Sequence, residues 1–479
     1  MKPLDVVVLT DLHYYSKKNW VDGDPYAFPP AREQLFRRGS EEIIRHVFDT
    51  LCESDTPEII LISGDLTNNG EVTSHEEMRQ LLRTLKMRGK RVYVTTATHD
   101  FRGDGVSYGF DKHNQKVTVP AFKRDALRAF YQEFGLDEAV SVHEPSMSYA
   151  VDLNAQYRLL ALNDDKGYDH AGFTDECFDW IAGQVRDAHE KGMFVLAMSH
   201  HPILSPSALY RLIAAGDLLE NGEMRAKQFA DLGVPCVCTG HSHIHNISGV
   251  RSEKGNVFYD ISTSALVGFP PNYRLLHADP DAGFVSVSTA TVESVPGLDT
   301  NGMTLPDYLE KQFLGTVEDI LTAAEQDYET FIQLADGFSL REDKARKYKI
   351  LIQPLAKTVN HLTFGKILRM AGRKRCAVTK TEAASVRDEK VVPFAMQMAA
   401  NLYRGDASLD KNSVQYRIAR GFFGQLDRLS KPFAAKLRAA GITSLSETLL
   451  PLLHKDGIAD ANCVLHFAKP AAQTEKQQV

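Results

Sequence analysis

The sequence has no apolar run that approaches the roughly 18 to 20 residues needed to cross a bilayer as a helix. The amino-terminal stretch MKPLDVVVLTDLH holds only a short apolar run between Asp5 and Asp11, which is too short for the core of a signal peptide. With 43% hydrophobic and 24% charged residues, the composition is that of a folded globular protein. We therefore expect a cytoplasmic protein without membrane contact.

Cysteine is scarce, and its spacing excludes two common roles. The six cysteines show neither zinc-ribbon spacing nor the spacing of a disulfide framework. They are Cys52, Cys177, Cys236, Cys238, Cys376 and Cys463. Cys236 and Cys238 lie two apart in a predicted strand, so both side chains point to one face. We interpret them as small core residues in a reducing compartment.

The chain also lacks a basic surplus, since its formal net charge is −7. Residues 301–479 hold 26 Lys and Arg against 20 Asp and Glu, a balance of +6, so the first 300 residues carry −13. Only three of the 17 histidines follow residue 300, and the acidic, histidine-rich first part suits cation binding.

A basic cluster lies in the second part of the chain, at Arg369, Arg373, Lys374 and Arg375. It fits either a phosphate or nucleic-acid backbone, or a solvated helix end. A balance of only +6 over this part argues against a nucleic-acid partner.

From residue 4 to about 290, apolar runs rich in β-branched residues alternate with amphipathic stretches. This alternation predicts an α/β domain whose sheets are covered on both faces. The predicted strands are LDVVVLT, EIILIS, RVYVTT, SYAVDL, YRLLAL, MFVLAMS and PCVCTG. Predicted helices lie near 31–53, 74–88, 121–134, 173–190 and 222–231. Further runs predict a closing set of antiparallel strands near 246–250, 256–262, 273–278 and 283–291.

A turn-rich segment, ESVPGLDTNGMTLP, ends this pattern near residues 295–305. Beyond it the periodicity is helical and hardly any strand candidate remains. The predicted helices are near 306–335, 341–371, 391–403, 412–436 and 443–453. We predict an α/β domain over residues 1–298, a helical bundle over residues 299–479, and a frayed tail in the last ten residues.

Five of the predicted strands end in carboxylate or imidazole side chains. These endings are Asp11-Leu12-His13, Gly64-Asp65, His99-Asp100, His200-His201-Pro202 and Gly240-His241-Ser242-His243. In an open α/β sheet the carboxyl ends of the strands gather along one edge, where ligands bind. Residues two apart at a strand end also reach the same side. The sequence therefore predicts that these side chains meet in one crevice.

Imidazole and carboxylate ligands suit divalent transition metals, so we expect Mn, Fe, Zn or Co in this crevice. The number of ligands exceeds the needs of one tetrahedral ion. It fits two ions roughly 3.5–4 Å apart that share a bridging carboxylate and a hydroxide nucleophile. Gly64 and Gly240 permit a close turn of the backbone beside the ions.

In their order along the chain, these motifs resemble those of the calcineurin-like metallophosphoesterases. The family pattern is D-x-H, G-D, G-N-H-[DE], H and G-H-x-H, and this chain has DLH, GD, ATHD, SHHP and GHSH. The resemblance covers roughly residues 4–290 and implies a two-sheet α/β/β/α sandwich, with a metallophosphoesterase catalytic domain over residues 1–298. The HHP form, the late DISTSALVGFPPNYR and the two-domain layout are similar to the class III cyclic nucleotide phosphodiesterase branch. Some members of that branch carry a helical carboxy-terminal domain.

The resemblance implies six metal ligands. Those of the first ion are Asp11, His13 and His243. Those of the second ion are His200 and His241, and Asp65 bridges the two ions.

The resemblance also implies that His99 contacts the phosphate and assists the leaving oxygen, while Asp100 orients His99. Thr98 departs from the pattern, because the family has an Asn there that binds the second metal. A threonine hydroxyl is shorter and is a weaker ligand. Three alternatives are open at this position. Water fills the ligand position, the Thr98 hydroxyl binds the second metal, or the second metal is held loosely.

Three other residues are candidates for the metal site or its surroundings. His201 follows the histidine that is the family's metal ligand in the HHP motif. A position beside the metal ligands and a position at the protein surface are equally open for its side chain. Asn68 could offer its amide, although the turn-forming Asn69-Gly70 explains the loop as well. His245 continues the alternation after His243. The remaining histidines are predicted at the surface, including His46, His75 and His113.

The resemblance implies a metal-dependent phosphodiesterase that acts on cyclic nucleotides or other small diesters. A metal-bridging hydroxide would attack the phosphorus in line, and a protonated His99 would stabilise the departing oxygen. A phosphomonoesterase or nuclease with the same bimetal site stays open, and so does a weakly active metal-binding scaffold in which Thr98 replaces the family Asn. The expected partner is a small phosphoester substrate, and the oligomeric state stays open.

Overall fold

The structure is a computed structural model that describes residues 1–20, 34–53, 55–111, 113, 115–165, 171–336, 342–406, 409–439, 443–454 and 457–467. The start of the helix predicted from residue 31 and the predicted tail lie outside these residues. The described chain forms two large sheets, a hairpin and two groups of helices.

The first sheet has a parallel centre and an antiparallel edge. Its parallel strands are β1 (Leu4–Leu9), β2 (Ile59–Ser63) and β3 (Arg91–Thr95). A hairpin of β4 (Val106–Phe110) and β5 (Lys116–Pro120) stands apart from both sheets. The antiparallel edge is formed by β13 (Asn272–Asp279), β14 (Phe284–Thr291) and β15 (Cys463–His466), which gives the order β15-β14-β13-β1-β2-β3.

The second sheet has seven strands. They are β6 (Ser141–His143), β7 (Ser148–Asn154), β8 (Tyr157–Ala161), β9 (Phe194–Met198), β10 (Cys236–Thr239), β11 (Asn246–Arg251) and β12 (Val257–Ser262). Their order is β11-β12-β10-β9-β8-β7-β6, with β8, β9, β10 and β12 parallel. The predicted closing strands are present, but they are divided between the two sheets.

Among the described residues, six α-helices connect the strands of the two sheets. They are α1 (Ser40–Thr50), α2 (Val72–Met87), α3 (Arg124–Phe130), α4 (Asp175–Glu190), α5 (Ala208–Ile213) and α6 (Gly222–Leu232). Local sequence sets their ends. The Thr174 side chain accepts the Cys177 N–H and caps the start of α4. Gly233, with φ of 85°, closes α6 in the left-handed conformation that glycine adopts at no steric cost.

Successive residues of the central strands point to opposite faces, and both faces are buried. Val6 and Val8 of β1 lie in the apolar layer between the sheets, together with Leu159 of β8. Val7 and Leu9 lie in the outer layer beneath α1 and α2. This arrangement explains why the strands are continuous apolar runs, and it confirms the predicted helix–sheet–sheet–helix sandwich.

The cysteines follow the same layers. All six are free thiols, and Cys236 and Cys238 are buried between the sheets. Burial raises the pKa of the Cys236 thiol to about 12, so it is an unreactive core residue. The interpretation of this pair as core residues is confirmed.

In the described part of the chain, ten α-helices follow the sandwich. They are α7 (Leu305–Gln326), α8 (Tyr328–Asp336), α9 (Glu342–Asn360), α10 (Phe364–Ala371), α11 (Lys380–Ser385), α12 (Val392–Arg404), α13 (Val414–Phe423), α14 (Leu426–Leu429), α15 (Ala434–Ala439) and α16 (Leu445–Leu449). They bury two apolar clusters of their own. Of the helices in the described part of the chain, none has the length and apolar character of a transmembrane segment.

The helical region is joined to the sandwich more closely than the sequence predicted. Leu305, Leu309 and Phe313 of α7 lie in the same apolar cluster as β1 and α2. Cys463–His466 form β15, in which Leu465 pairs with Val285 of β14. The expectation that residues 299–479 are purely helical is therefore wrong at β15, because its partner lies far away in sequence. The boundary at residue 298 stays a prediction.

Candidate metal centre

The turns that follow β1, β2, β3, β9 and β10 meet at one edge of the sandwich. Main-chain hydrogen bonds join them. The Asp11 N–H donates to the Gly64 carbonyl over 3.1 Å, and the Gly240 N–H donates to the His200 carbonyl over 2.8 Å. The five predicted strand endings are therefore brought together, although they span more than 230 residues of sequence.

Five turn residues adopt the left-handed backbone conformation that non-glycine residues rarely take. Their φ values are 51° at Asp11, 41° at His13, 50° at Asp65, 61° at His241 and 56° at His243. Such strain persists where the surrounding structure imposes it, and it clusters at functional sites. Each of these five residues is a predicted metal ligand.

Two glycines make the closeness of these turns possible. A Cβ atom at Gly64 would lie 2.7 Å from His200 Nδ1, and Gly64 has a φ of 96°. A Cβ atom at Gly240 would collide with Thr10 Oγ1 and Asp11 Oδ2. The predicted need for glycine at both positions therefore has a steric basis.

Asp11, His13 and His243 form the first group of side chains that could hold a metal ion. Asp11 Oδ1 lies 3.6 Å from His13 Nε2 and 3.4 Å from His243 Nε2. The two Nε2 atoms are 3.3 Å apart. Three ligand atoms on two strand endings therefore converge on one point.

Asp65, His200 and His241 form the second group, whose ligand atoms also lie within 4.8 Å of one another. His200 Nε2 is 3.1 Å from Asp65 Oδ2. The same Asp65 oxygen is 3.8 Å from His13 Nε2 of the first group. Asp65 therefore stands between the two groups, which is the place of a carboxylate that bridges two ions.

The donor atoms fit divalent ions. Within the described residues, Asp11 Oδ1, Asp65 Oδ2 and His200 Nε2 are buried and make no well-formed hydrogen bond, although His200 Nε2 and Asp65 Oδ2 lie 3.1 Å apart. Buried carboxylate oxygens without a partner are costly, and a cation between them would satisfy all three atoms. Imidazole and carboxylate together suit Mn, Fe, Zn or Co, and the geometry does not choose among these.

The other atoms of the same side chains are held by the protein. Asp11 Oδ2 accepts hydrogen bonds from the Thr10 hydroxyl at 2.7 Å and from the His241 N–H at 2.9 Å. His200 Nδ1 donates to the Ser63 carbonyl at 2.8 Å, which leaves Nε2 as the free nitrogen. Such bonds fix the orientation of a ligand and the nitrogen that it presents.

Burial and charge act differently on the histidines. Burial lowers the pKa of His13 to about 4, which keeps its ring neutral. Burial also disfavours the charged form of His200, but Asp65 and Asp11 outweigh it and raise the pKa to about 10. The two carboxylates therefore draw positive charge into the site, and a divalent cation would supply it.

His99 lies beside the first group. Its ring centroid is 5.0 Å from that of His13. The main-chain N–H of His99 donates a hydrogen bond to Asp65 Oδ1 at 2.9 Å. His99 Nδ1 donates to the Asn68 carbonyl at 2.8 Å. The ring orientation is thus set by a main-chain carbonyl, and Nε2 is the nitrogen left for a substrate.

Asp100 does not orient the His99 ring directly, as the resemblance implied. Its carboxylate accepts hydrogen bonds from the main-chain N–H groups of Thr67 and Ala97, both at 2.9 Å. Burial and the charge of Asp65 raise the pKa of Asp100 to about 8. Asp100 therefore ties together the two loops that carry Asp65 and His99, and its effect on the imidazole is indirect.

Thr98 is the first residue of the short 3-10 turn Thr98–Asp100. Its side chain is half-buried, and it makes no hydrogen bond within the described residues. Whether its hydroxyl or water takes the place of the family Asn stays a prediction.

His201 lies next to the second group, together with Asp164, which was not among the predicted site residues. The His201 ring is 4.0 Å from that of His241, and its Nδ1 bonds Asp164 Oδ1 at 2.8 Å. Asp164 Oδ2 accepts the N–H groups of His200 and His201 and the Ser199 hydroxyl. His201 is thus buried beside the ligands. The signal for Asp164 was available, because the predicted strand YRLLAL ends in Asn163-Asp164-Asp165.

Asn68 and His245 bond to the protein around the site. Arg37 Nε donates to Asn68 Oδ1 at 2.5 Å, and Asn68 Nδ2 donates to Glu71 at 3.1 Å. His245 Nε2 bonds the Thr289 hydroxyl at 2.8 Å. Neither residue belongs to the two groups that could hold a metal, and each supports a turn next to them.

His75 is fully buried, so its predicted surface position is wrong. Its Nε2 lies 2.8 Å from the Asp100 carbonyl oxygen, and its Nδ1 lies 2.7 Å from the Tyr131 hydroxyl. Burial lowers its pKa to about 3. The residue pattern does not indicate this burial, because His75 lies in the first turn of an amphipathic helix, where a polar residue is ordinary.

Solved structures offer distant likenesses to this chain. A dimetal phosphatase from Danio rerio has a TM-score of 0.43 at 13% identity, covering 60% of this chain and 96% of that one. The purple acid phosphatase PPD1 from yellow lupin (Lupinus luteus) seeds has a TM-score of 0.39 at 14% identity, covering 60% of this chain and 52% of that one. GAP50, the anchor in the inner membrane complex of Plasmodium, has a TM-score of 0.31 at 9% identity, covering 61% and 85%. None of these likenesses carries an argument about activity.

Sequence comparison gives a firmer result. No curated protein matches the chain significantly. A family model described as calcineurin-like phosphoesterase matches residues 4–245, just over half of the 479 residues. That segment contains all the side chains of both metal groups and also His99. The chain belongs to the calcineurin-like phosphoesterase family.

Proposed function

We propose that this phosphoester hydrolase acts on small phosphate diesters, with cyclic nucleotides as the first substrate class to examine. The observation that carries the proposal is the pair of adjacent groups with Asp65 between them and His99 beside them. Metal-dependent phosphoester hydrolysis follows from the family and these two groups. The choice of a small diester has further support in the surroundings of His99.

The residues of the chain hold and orient the reacting groups. Asp11 and Asp65 each use one carboxylate oxygen for hydrogen bonds to the protein and leave the other for a cation. Two divalent ions, when bound, lower the pKa of water and neutralise charge on the phosphoryl oxygens. His99 presents Nε2, which in the protonated ring donates a hydrogen bond to the departing oxygen.

The arginines around His99 favour a diester over a monoester. A monoester is a dianion, which proteins commonly bind by bidentate arginine contacts. Burial lowers the pKa of His99, and the positive charges of Arg102 and Arg37 lower it further. Their guanidinium groups, however, donate to the side-chain amides of Asn69 and Asn68. A singly charged diester needs fewer contacts with these two guanidinium groups than a dianionic monoester.

The position of the helical region favours a small substrate. The His245 N–H, two residues after His243, donates to the Tyr403 carbonyl at the end of α12 over 3.0 Å. A Cβ atom at Gly405 would collide with the His245 carbonyl. The helical region thus packs directly against the turn that carries His241 and His243, and it restricts this side of the site.

The proposal is tested with bis(p-nitrophenyl) phosphate and added Mn²⁺. We expect hydrolysis by the wild type and a loss of about 100-fold or more in kcat for His99→Ala, the range of a general acid. His361→Ala is the matched control, since His361 is exposed and paired with Glu325 in the helical region. Absence of hydrolysis with each of Mn²⁺, Fe²⁺, Zn²⁺ and Co²⁺ would contradict the proposal.

The alternatives use the same ions and are separated by substrate. A panel of 2′,3′- and 3′,5′-cyclic nucleotides, p-nitrophenyl phosphate and single-stranded DNA distinguishes diesterase, monoesterase and nuclease. Thr98 favours one further alternative, a weakly active metal-binding scaffold, because a hydroxyl stands where the family supplies an amide ligand. Full occupancy by one ion per chain, without hydrolysis of any member of the panel, would support that scaffold.

A further inference from the structure

A cavity of about 440 Å³ lies at the same strand edge as the metal groups. It lies between the start of α3, the turn from β6 to β7, the end of β8 and the start of α4, and it is lined in part by Arg124, His143, Ser146, Asn163 and Asp165. Ligand sites of small molecules typically measure roughly 300–1,000 Å³. The cavity is large enough for a nucleoside-sized group.

Two side chains that line this cavity have a buried nitrogen that makes no hydrogen bond within the described residues. His143 is 7% exposed, and its Nε2 has no hydrogen-bond partner. Its Nδ1 lies 2.8 Å from Ser146 Oγ and 3.3 Å from the main-chain nitrogen of Ser146, so Nε2 is the ring nitrogen without a bond to the protein. Arg124 Nε is likewise buried and makes no hydrogen bond within these residues, although Asp165 Oδ2 lies 3.6 Å away. Buried polar nitrogens without a hydrogen bond are rare in folded proteins and indicate a missing partner.

The charges around these donors favour a neutral ligand with both acceptors and donors. Asp165 Oδ2 lies 3.6 Å from Arg124 Nε, so a carboxylate and a guanidinium stand side by side at the cavity. A free anion would be repelled by Asp165, and a free cation by Arg124. A ring carbonyl next to a ring N–H suits both charged groups. The carbonyl accepts hydrogen bonds from the nitrogens, and the N–H faces the Asp165 carboxylate.

The cavity and the metal groups share one strand ending. Asn163 and Asp165 line the cavity, while Asp164 between them accepts the N–H groups of His200 and His201. The Asn163 side chain also donates to the Thr96 carbonyl at 2.9 Å, just before Thr98. The strand ending that lines the cavity is therefore the one that holds His200 and His201 through Asp164.

We propose that this cavity binds the base of a nucleotide substrate and prefers the lactam edge of guanine or uracil to adenine or cytosine. The inference rests on the proposed function, since it assigns the base of that same diester. His143 and Arg124 donate to the ring carbonyl, and Asp165 faces the adjacent ring N–H. Both His143 and Arg124 then determine specificity without touching the phosphate.

Binding of free nucleosides tests the cavity without the metals, because a nucleoside carries no phosphate. The chain has two tryptophans, and the ring of Trp180 lies 5.8 Å from that of His143. In Trp20→Phe, the fluorescence of Trp180 reports on the cavity alone. We expect saturable quenching by guanosine and uridine, with dissociation constants about tenfold lower than those of adenosine and cytidine. That is the effect of about one hydrogen bond.

Variants identify the donors. His143→Leu and Arg124→Lys, each in the Trp20→Phe background, should weaken guanosine binding about five- to tenfold. His277→Leu is the matched control, since His277 is half-exposed on β13 and pairs with Asp5. Equal affinity for all four nucleosides, no saturable quenching, or unchanged binding in both variants would overturn the proposal. Arg124→Lys retains the charge and makes the test independent of whether His143→Leu folds.

Kinetics separates this inference from the proposed function. Bis(p-nitrophenyl) phosphate has no base, so its kcat/KM should stay within about twofold in His143→Leu, while KM for 2′,3′-cyclic GMP rises five- to tenfold. If the diester is not hydrolysed while guanosine binds selectively, the proposed reaction is wrong and the base site stands. If the diester is hydrolysed and no nucleoside is selected, the base site is wrong.

Discussion

Replacement of Asp164 by alanine should weaken the binding of the second metal ion far more than that of the first. The Asp164 carboxylate is 2% exposed and accepts four hydrogen bonds. They come from the Ser199 hydroxyl at 2.6 Å, the His200 N–H at 3.0 Å, and the N–H and Nδ1 of His201, both at 2.8 Å. Each donor left without an acceptor costs about 1–3 kcal/mol. The lower end of that range, taken over four donors, gives a loss of about 4–6 kcal/mol in the free energy of unfolding for Asp164→Ala, which is large for a single substitution.

The effect on metal binding is separable from stability. Residues that hold a metal ligand typically contribute about 10–100-fold to affinity. We expect this loss for the second ion, because Asp164 holds His200, whereas it forms no hydrogen bond with the first group in the described chain. Titration with Mn²⁺ against a competing chelator at 10 °C, where the folded variant predominates, measures both affinities.

A matched control distinguishes a local effect from general destabilisation. Asp152→Asn weakens the ion pair with Arg158, whose side chain is fully buried, and so lowers stability far from the metal groups. It should leave both metal affinities unchanged. Equal loss of both ions in Asp164→Ala, or unchanged affinity for the second ion, would refute the positioning of His200 by Asp164.

The remaining predictions concern three other positions. Thr98→Asn restores an amide ligand and should tighten the second ion by about tenfold, as measured by the same titration; two equally tight sites in the wild type, unchanged in the variant, would contradict this. Gly240→Ala places a Cβ against Thr10 Oγ1 and Asp11 Oδ2, so thermal unfolding should show a loss of about 1–3 kcal/mol, and the first ion should bind more weakly. Burial holds the pKa of His75 at about 3, against roughly 6.5 in the unfolded chain, so the folded state binds this proton less readily. The stability present at neutral pH should therefore fall as pH drops from about 6.5 towards 3, by up to about 1.4 kcal/mol per unit, and His75→Gln should flatten this decline in a series of thermal unfolding curves.

The sheets and the metal groups could be predicted because their signals are local. The central strands are short apolar runs that are buried on both faces, and β1, β2 and β9 lie where those runs predicted them. The ligands follow directly after the strands, so the rule that carboxyl ends gather at one edge was enough to assemble them. The left-handed backbone at Asp11 and Asp65 was not foreseeable from residue type.

Features that depend on distant partners were missed. Cys463–His466 is four residues long, and it is a strand because β14 offers a free edge some 180 positions earlier. His75 looked like an exposed helical residue, yet the Asp100 carbonyl and Tyr131 surround it. The Asp100 carboxylate was assigned to the His99 ring, and it bonds main-chain N–H groups instead. Hydrogen bonds to main-chain groups cannot be predicted from the pattern of residue types, because every residue other than proline carries the same main-chain groups.

The central claim is that Asp65 stands between two ions at this strand edge. Anomalous diffraction from crystals of the Mn²⁺-loaded protein tests it most directly. We expect two peaks about 3.5–4 Å apart, one against Asp11, His13 and His243 and one against His200 and His241, with Asp65 in contact with both. A single peak at saturating Mn²⁺, or two peaks that do not share Asp65, would contradict the account.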